Sequence, residues 1–296
     1  MNGLIIVNQH LGHNEHKVRR LKEEFAKLNV RLDVFINDGS LAVIRNNRIH
    51  IKLPKADFVI YLDKDIYLAK QLEKAGYRLF DKPDFIKLCD DKMLTNIYAA
   101  NRDIKTPKTI SGPLFYDGRP KKENLTFLNG VMYDLGMPLV VKRVYGSLGM
   151  GVFLAETKEQ LIKIYKKYCH EPIQFQEYIK ESYGRSMRVI VIDQKVVGGF
   201  IRFNKGDFRS NYGPNASAKK ARNCDKFFDF AEKIAKEFKI EYAGIDLLFG
   251  YNNEPVLCEI NSNAFFEEFE KVTKINVAKK LAKYIVKKVK EENEQK

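Results

Sequence analysis

The chain opens on a run of apolar residues, 4–7, of the kind that fills a strand buried on both faces of a parallel sheet. A loop over 8–12 follows, and then apolar positions recur at helical spacing: Val18, Leu21, Phe25 and Leu28. Residues 31–36 and 58–62 read as two more strands, separated by a 41–51 hairpin that turns at Asn46-Asn47. Residues 65–75 form a helix stopped by Gly76, and 77–80 a further strand. Strand–helix alternation of this kind predicts a small parallel α/β lobe over residues 1–85.

A different rhythm follows. A helix over 84–101 leads into a loop region punctuated by Pro113, Gly118 and Pro120, then a helix near 123–135 and a strand over 138–142. That strand enters Gly146-Ser147-Leu148-Gly149-Met150-Gly151, and a strand over 152–154 leaves it. A helix over 157–169, with Leu161, Ile164 and Tyr168 on one face, completes an α+β lobe over 86–172. From residue 173 strands dominate: 175–179, 187–192 and 195–203, the last two joined by a turn at Asp193-Gln194. A helix over 226–238 and a hairpin of 243–251 and 255–260, turning at Asn252-Asn253, follow. An amphipathic helix over 275–289 and a charged tail expected to fray end a third lobe, 173–296.

Composition adds bounds to this pattern. At 296 residues, 45% hydrophobic and 12% aromatic, the chain is globular and long enough for two or three lobes. No apolar run reaches the roughly 20 residues of a membrane span, and the first residues lack the pattern of a signal peptide. Cys89, Cys169, Cys224 and Cys258 lie far apart with no C-x-x-C spacing, so free thiols and a cytoplasmic location are expected. The net charge of +14 has three readings: lysine-rich solvated helix faces, an anionic substrate, or nucleic acid. Lys279-Lys280, Lys283 and Lys287-Lys288 favour the first, and no zinc-finger, RRM or KH pattern supports the third.

Three groups of residues carry candidate chemistry. Asp246 stands in one strand of the last hairpin, and Glu259 and Asn261, two apart, share a face of the other. Two carboxylates and an amide oxygen make a hard oxygen set suited to Mg²⁺, with Mn²⁺ as a substitute. Ordinary polar alternation is the plain alternative, but the neighbours Ile245, Leu247, Leu248, Val256, Leu257 and Ile260 are apolar, so these acids interrupt a core-like sheet. The second group is Gly146, Gly149 and Gly151, whose backbone can approach phosphates closely, with Ser147 between them and Lys142 on the strand leading in. The loop does not read G-x-x-x-x-G-K-[ST] and is not a P-loop. The third is Arg188, Arg202 and Arg209, with Asn211 close behind. Charges within apolar strands need partners. These arginines read as a clamp on a transferring phosphate, or else as partners of Asp246 or Glu259, or as residues of an exposed strand edge.

In this order the pieces resemble the ATP-grasp superfamily and, within it, the RimK-like glutamate ligases. The likeness covers roughly 85–285 and runs through Asp91-Lys92, 138–142, 146–152, Gln176-Glu177-Tyr178-Ile179, 184–188, Asp207-Phe208-Arg209-Ser210-Asn211, Gly244-Ile245-Asp246 and Glu259-Ile260-Asn261. It implies an ATP-grasp fold: a parallel α/β lobe followed by two α+β lobes that clamp ATP. It also implies roles. Lys92 and Lys142 resemble the phosphate-binding lysines, and Glu177, Tyr178 and Ile179 the hinge that holds adenine. Arg209, Ser210 and Asn211 resemble the loop at the γ-phosphate, and Asp246, Glu259 and Asn261 the ligands of two magnesium ions. Two departures stand out. Ser186 replaces the family's acidic ribose-binding residue, leaving ribose contact to its hydroxyl or to Glu181. Ser262-Asn263-Ala264-Phe265-Phe266 replaces a Ser-Pro-Gly type turn, so the identity of the substrate does not carry over.

The resemblance implies ATP-dependent joining of a carboxylate and an amine through an acyl phosphate, with Arg188 or Arg209 stabilising the oxyanion. Glutamate or another acidic amino acid, added to a small molecule, peptide or protein, is its suggestion. An ATP-grasp kinase, or a basic nucleotide-binding protein without ligase activity, is the competing reading. No general base is assigned. His10 and His13 stand where they could line a substrate cleft, while His16, His50 and His170 read as structural or surface residues. A homo-oligomer is compatible with everything above.

Overall fold

The first apolar run becomes the middle of a parallel sheet. In the computed structural model, which describes residues 1–9, 12–116, 120–121, 125–147 and 149–295, β1 (Asn2–Asn8) leads through α1 (Glu15–Ala26) to β2 (Arg31–Asn37). The β3 (Ala42–Arg45) and β4 (Arg48–Ile51) hairpin turns at Asn46 and Asn47, with φ of 52° and 57°. Two left-handed residues are what a two-residue primed turn requires, and asparagine tolerates them. Next come β5 (Phe58–Leu62), α2 (Ile66–Lys74) and β6 (Leu79–Phe80), giving a parallel sheet of order β2-β1-β5-β6. The Asp65 side chain accepts from the Tyr67 and Leu68 amides and caps α2, while Gly76 takes φ 91° past its end.

The helix expected over 84–101 is two helices. α3 (Pro83–Asp90) ends at Asp91, whose extended backbone starts α4 (Lys92–Ala99) and whose carboxylate accepts from Leu94 N at 2.9 Å. The capping bond replaces the helical one. β7 (Thr109–Ser111) follows, then α5 (Phe127–Leu135), β8 (Leu139–Arg143), β9 (Val152–Ala155), α6 (Lys158–Tyr168) and β10 (Ile173–Glu177). Gly118, Leu148 and residues 123–124 of the expected helix lie outside the described residues. On α6 the buried pair is Leu161 and Tyr165; Ile164 and Tyr168 are only partly covered. β10 starts two residues before the expected strand and pairs with β7 and β8 in a sheet of order β7-β10-β8-β9. The change of sheet expected at residue 173 therefore falls after Glu177.

The third sheet is antiparallel, with order β13-β12-β11-β14-β15, formed by β11 (Arg185–Ile192), β12 (Lys195–Phe203), β13 (Ser217–Lys220), β14 (Tyr242–Phe249) and β15 (Pro255–Asn261). α7 (Asp225–Glu237) precedes β14; α8 (Glu267–Thr273) and α9 (Val277–Glu294) follow β15. One face of this sheet shares a core with the first lobe, where Ile190, Ile192 and Phe200 meet Ile5, Val7 and Leu281. The other face packs Phe227, Ala231 and Ile234 of α7 with Cys89, Ala99 and Ile104, so α3 and α4 belong to this core. The central sheet has a core of its own, around Leu139, Leu161 and Phe175, and a cleft opens between it and the third sheet. The tail expected to fray is helical to Glu294, held where Arg78 bonds both Glu241 and Glu292.

Candidate active site

Three charged residues lie in one row across the third sheet. Arg188 on β11 is directly opposite Asp246 on β14, which is directly opposite Glu259 on β15; Asn261 pairs with Gly244 one step along. Arg188 gives Asp246 a forked pair of bonds, from Nε to Oδ1 and from Nη2 to Oδ2 at 2.6 Å. Arg202 Nη1 reaches the same carboxylate at 3.3 Å, and Asn261 Nδ2 donates to Glu259 Oε1 at 3.1 Å. Room for this comes from Gly244, where a Cβ would sit 2.7 Å from Arg188 Nη1. Burial alone would raise the Asp246 carboxyl, but the two guanidinium groups outweigh it and hold it below the usual value. Burial and the neighbouring Arg188 lower Arg202 in turn. Of the readings open for Arg188, pairing with Asp246 is the one observed.

The cleft between the sheets is lined by apolar Val140, Val152, Ile179 and Leu248 and by polar groups that include Lys92, Lys142 and Glu259. Lys142 from β8 lines it, its Nζ 3.8 Å from Cys258 Sγ. Lys92, placed in the first turn of α4 by the break at Asp91, donates to the carbonyls of Val144 at 3.2 Å and Gly146 at 2.7 Å. Burial holds its ammonium below the ordinary lysine value, against the pull of Glu259. Gly146, Gly149 and Gly151 all take positive φ (128°, 71° and 82°), and Gly146, Ser147 and Gly149 line the cleft, which Gly151 does not. A Cβ on Gly149 would be 3.3 Å from Tyr212 and 3.5 Å from Arg209, so the glycine loop packs on the 209–212 segment.

Several expected contacts take a different form. Arg209 is a strut: it pairs with Asp207 at 2.7 Å, donates to the Gly149 carbonyl at 3.0 Å and stacks on Tyr212. The Glu177 side chain accepts from Lys108 N at 3.0 Å and its amide donates to the Lys108 carbonyl at 2.9 Å; Glu177, Tyr178 and Ile179 line the cleft. Glu181 is not part of the lining; Ser182 and Arg185 are, and neither was singled out in the sequence. Ser186 and Ser210 share a hydroxyl–hydroxyl bond of 2.6 Å inside it.

A second cavity of about 320 Å³ adjoins the first. Lys92, Gly146, Ser147, Arg202, Ser210, Asn211 and Glu259 line both, so the two meet beside the charged row. Lys64, Asp90 and Glu268 line the second cavity but not the first, charged residues that carry no motif and are brought there only by the fold. No histidine lines either cavity among the described residues. His10 lies outside them, as does the side chain of His13. Among the described residues no three His, Cys, Asp or Glu side chains are grouped to hold a metal ion. The donor set at the junction is two carboxylates and one amide, Asp246, Glu259 and Asn261, all lining one cavity or the other. Its chemistry fits a hard, oxygen-seeking cation such as Mg²⁺.

The family model for the RimK-like ATP-grasp domain matches residues 89–285. The chain belongs to the RimK-like ATP-grasp family. It is 32% identical over 261 residues to an uncharacterized protein of Mycoplasma pneumoniae, covering 87% of this chain and 89% of that one. It is 31% identical over 257 residues to human beta-citrylglutamate synthase B, covering 84% of this chain and 65% of that one. In structure it is similar to the D-alanine–D-alanine ligase of Bacillus anthracis, with a TM-score of 0.75 at 16% identity over 100% of this chain and 99% of that one. The fold is thus the expected ATP-grasp fold, and the chain is an ATP-grasp ligase. No helix among the described residues is long and apolar enough to cross a membrane.

Proposed function

We propose that the chain uses ATP and Mg²⁺ to join a carboxylate to an amine through an acyl phosphate, with glutamate or another acidic amino acid as one partner. The observation that carries this is the meeting of two cavities at Glu259, beside Lys92, Arg202 and Asn211. One cavity has the apolar walls that suit a purine; the other is lined by the charged residues Lys64, Asp90 and Glu268.

In this reading the backbone of Glu177 to Ile179 holds adenine, and Ser186 contacts the ribose. Lys92, Lys142 and the amides around Gly146, Ser147 and Gly149 hold the phosphates. Asp246, Glu259 and Asn261 hold Mg²⁺, two ions at full occupancy, which would neutralise the phosphate charge. A carboxylate oxygen in the second cavity attacks the γ-phosphorus in line, and the bond to the β-phosphate oxygen breaks, releasing ADP. An amine nitrogen then attacks the acyl carbon and loses a proton, and phosphate leaves with the former carboxylate oxygen. Arg202 lies at the junction, where the oxyanion develops. Arg188 acts through Asp246, and Arg209 with Ser210 and Asn211 keeps the glycine loop closed over the phosphates. The free cysteines suit a reducing cytoplasm.

The test is phosphate release from ATP over a panel of amino acids, peptides and small carboxylates, with and without hydroxylamine, and mass spectrometry of the products. A hydroxamate formed only with ATP and one class of carboxylate is expected. ATP-dependent phosphorylation of a hydroxyl or amine, with no hydroxamate, would replace this reading with a kinase.

A further inference from the structure

A buried lysine outside the site reaches the turn that borders it. Lys17 on α1 is 2% exposed, and its Nζ donates to Asn263 Oδ1 at 2.6 Å and to the Ala264 carbonyl at 3.1 Å. The same carbonyl accepts from the Tyr242 hydroxyl at 2.6 Å, and the ammonium lies 4.9 Å from the Tyr242 ring centre. The segment held in this way follows the metal-binding end of β15 directly, and Asn263, Ala264 and Phe265 line the second cavity. Burying an ammonium costs several kcal/mol unless it is bonded. A methionine would fill the same space without that cost; the charge at this position instead serves the two bonds to the turn and the neighbouring buried Asp81 carboxyl.

Phe265 has a further neighbour. A third cavity, of about 750 Å³ and lined by His16, Lys17, Arg19, Phe266 and Lys271, opens on its other side; Phe265 and Glu268 line both this cavity and the second. The aromatic pair of this turn is thereby divided in use. Phe266 is buried in the core shared with the first lobe, and Phe265 is the wall between two cavities.

We infer that Lys17 is a positioning residue: from the first lobe it fixes the 262–266 turn, and so holds Phe265 as the wall that sets how large a substrate the site accepts. The size-setting part rests on the reading of the second cavity as the substrate side of a ligase. The anchoring part does not. Within the fold this makes the first lobe, which carries none of the nucleotide-binding residues, a determinant of substrate choice.

Hydrogen–deuterium exchange of the full chain tests the anchoring without any substrate, in the wild type, Lys17→Met and Asn263→Ala. Asn263→Ala removes the acceptor on the turn and serves even if Lys17→Met does not fold. In both variants the amides of 262–266 should exchange at least about tenfold faster, while β1 and β14 are unchanged. Binding of a non-hydrolysable ATP analogue should stay within about twofold. Unchanged exchange at 262–266 would overturn the inference. So would faster exchange spread evenly over β1, β5 and β14 with loss of analogue binding, the signature of a merely structural lysine. The size-setting role is read in Phe265→Ala, by hydroxamate formation over carboxylates of increasing bulk. A shift of the preference towards larger carboxylates, with the KM for ATP unchanged, is expected. An unchanged order of preference would overturn that role, and a wild type forming no hydroxamate at all would instead count against the ligase reading.

Discussion

Arg188 and Asp246 stand directly opposite each other on neighbouring antiparallel strands, and both bonds of their fork are formed in the interior of the third sheet. Asp246 is 5% exposed and Arg188 6%, so neither charge has water to fall back on. A carboxylate expected to bind metal is thus held in place by an arginine expected to bind phosphate. Removing Arg188 leaves the buried Asp246 carboxylate with the longer contact to Arg202, at 3.3 Å, as its remaining cation. Arg188→Leu should lower stability by about 3–5 kcal/mol, measured by urea denaturation. Arg188→Leu with Asp246→Leu should recover part of that loss, because Arg202 gives up the same carboxylate and keeps Glu268 at 3.6 Å. A double variant as unstable as the sum of the two singles would show that the pair is not coupled.

Gly244 makes the close approach of this pair possible. A Cβ there would lie 2.7 Å from Arg188 Nη1 and 2.8 Å from the Ala264 Cβ, so it disturbs the guanidinium and the turn together. Gly244→Ala should therefore cost about 1–3 kcal/mol through overpacking. It should also lower ATP turnover more than stability alone explains, checked by assaying at a temperature where the variant is fully folded.

Lys17 gives the clearest pH dependence. Burial, partly offset by Asp81, lowers its pKa from the usual lysine value to about 7. A group whose folded pKa lies below its unfolded one costs stability while it is protonated in both states. That cost is fully present below pH 7 and fades as the pH rises towards about 10.5, with a slope of up to about 1.4 kcal/mol per pH unit. Asp81 runs the other way: burial raises its carboxyl, so its contribution falls as the pH rises above about 4. Lys17→Met should remove the alkaline gain, and the stability difference between wild type and variant should shift in favour of the wild type from pH 7 to 9.5. A Lys17 Cε resonance titrating with the surface lysines would contradict the assignment.

Much of this was legible because it is local. Asn46-Asn47 and Asp193-Gln194 take the positive φ that two-residue turns need, and the 65–76 helix announces both its cap and its stop. The Glu259 and Asn261 spacing and the glycine loop likewise carry their geometry in a few neighbouring residues. What was missed depends on contacts distant in the chain. The 84–101 stretch has an unbroken helical pattern, and only the competition for the Leu94 amide shows Asp91 to be a cap. β10 could have joined either neighbouring sheet, since Gln176 is a buried polar residue that only its bond to Thr109 of β7 explains. β13, with Ser217, Lys219 and Lys220, is an edge strand whose composition reads as a loop. Lys17 reads as one more lysine on a helix until Asn263 and Ala264, far along the chain, are brought to it.

Glu259 faces both cavities, so it separates metal binding from fold more cleanly than Asp246 does. Glu259→Gln should leave the denaturation midpoint nearly unchanged. ATP turnover should fall beyond the roughly 10–100-fold that loss of an outer partner of a metal ligand costs. A purified variant with full turnover would remove Glu259 from the metal set.

The most direct measurement follows one oxygen atom. With the carboxylate identified by the hydroxamate panel labelled with ¹⁸O, an acyl phosphate hands one labelled oxygen to phosphate when the amine displaces it. Phosphate carrying one ¹⁸O per turnover, seen by mass spectrometry, is the predicted result. Unlabelled phosphate, or ADP formed together with a stably phosphorylated product, would contradict the account.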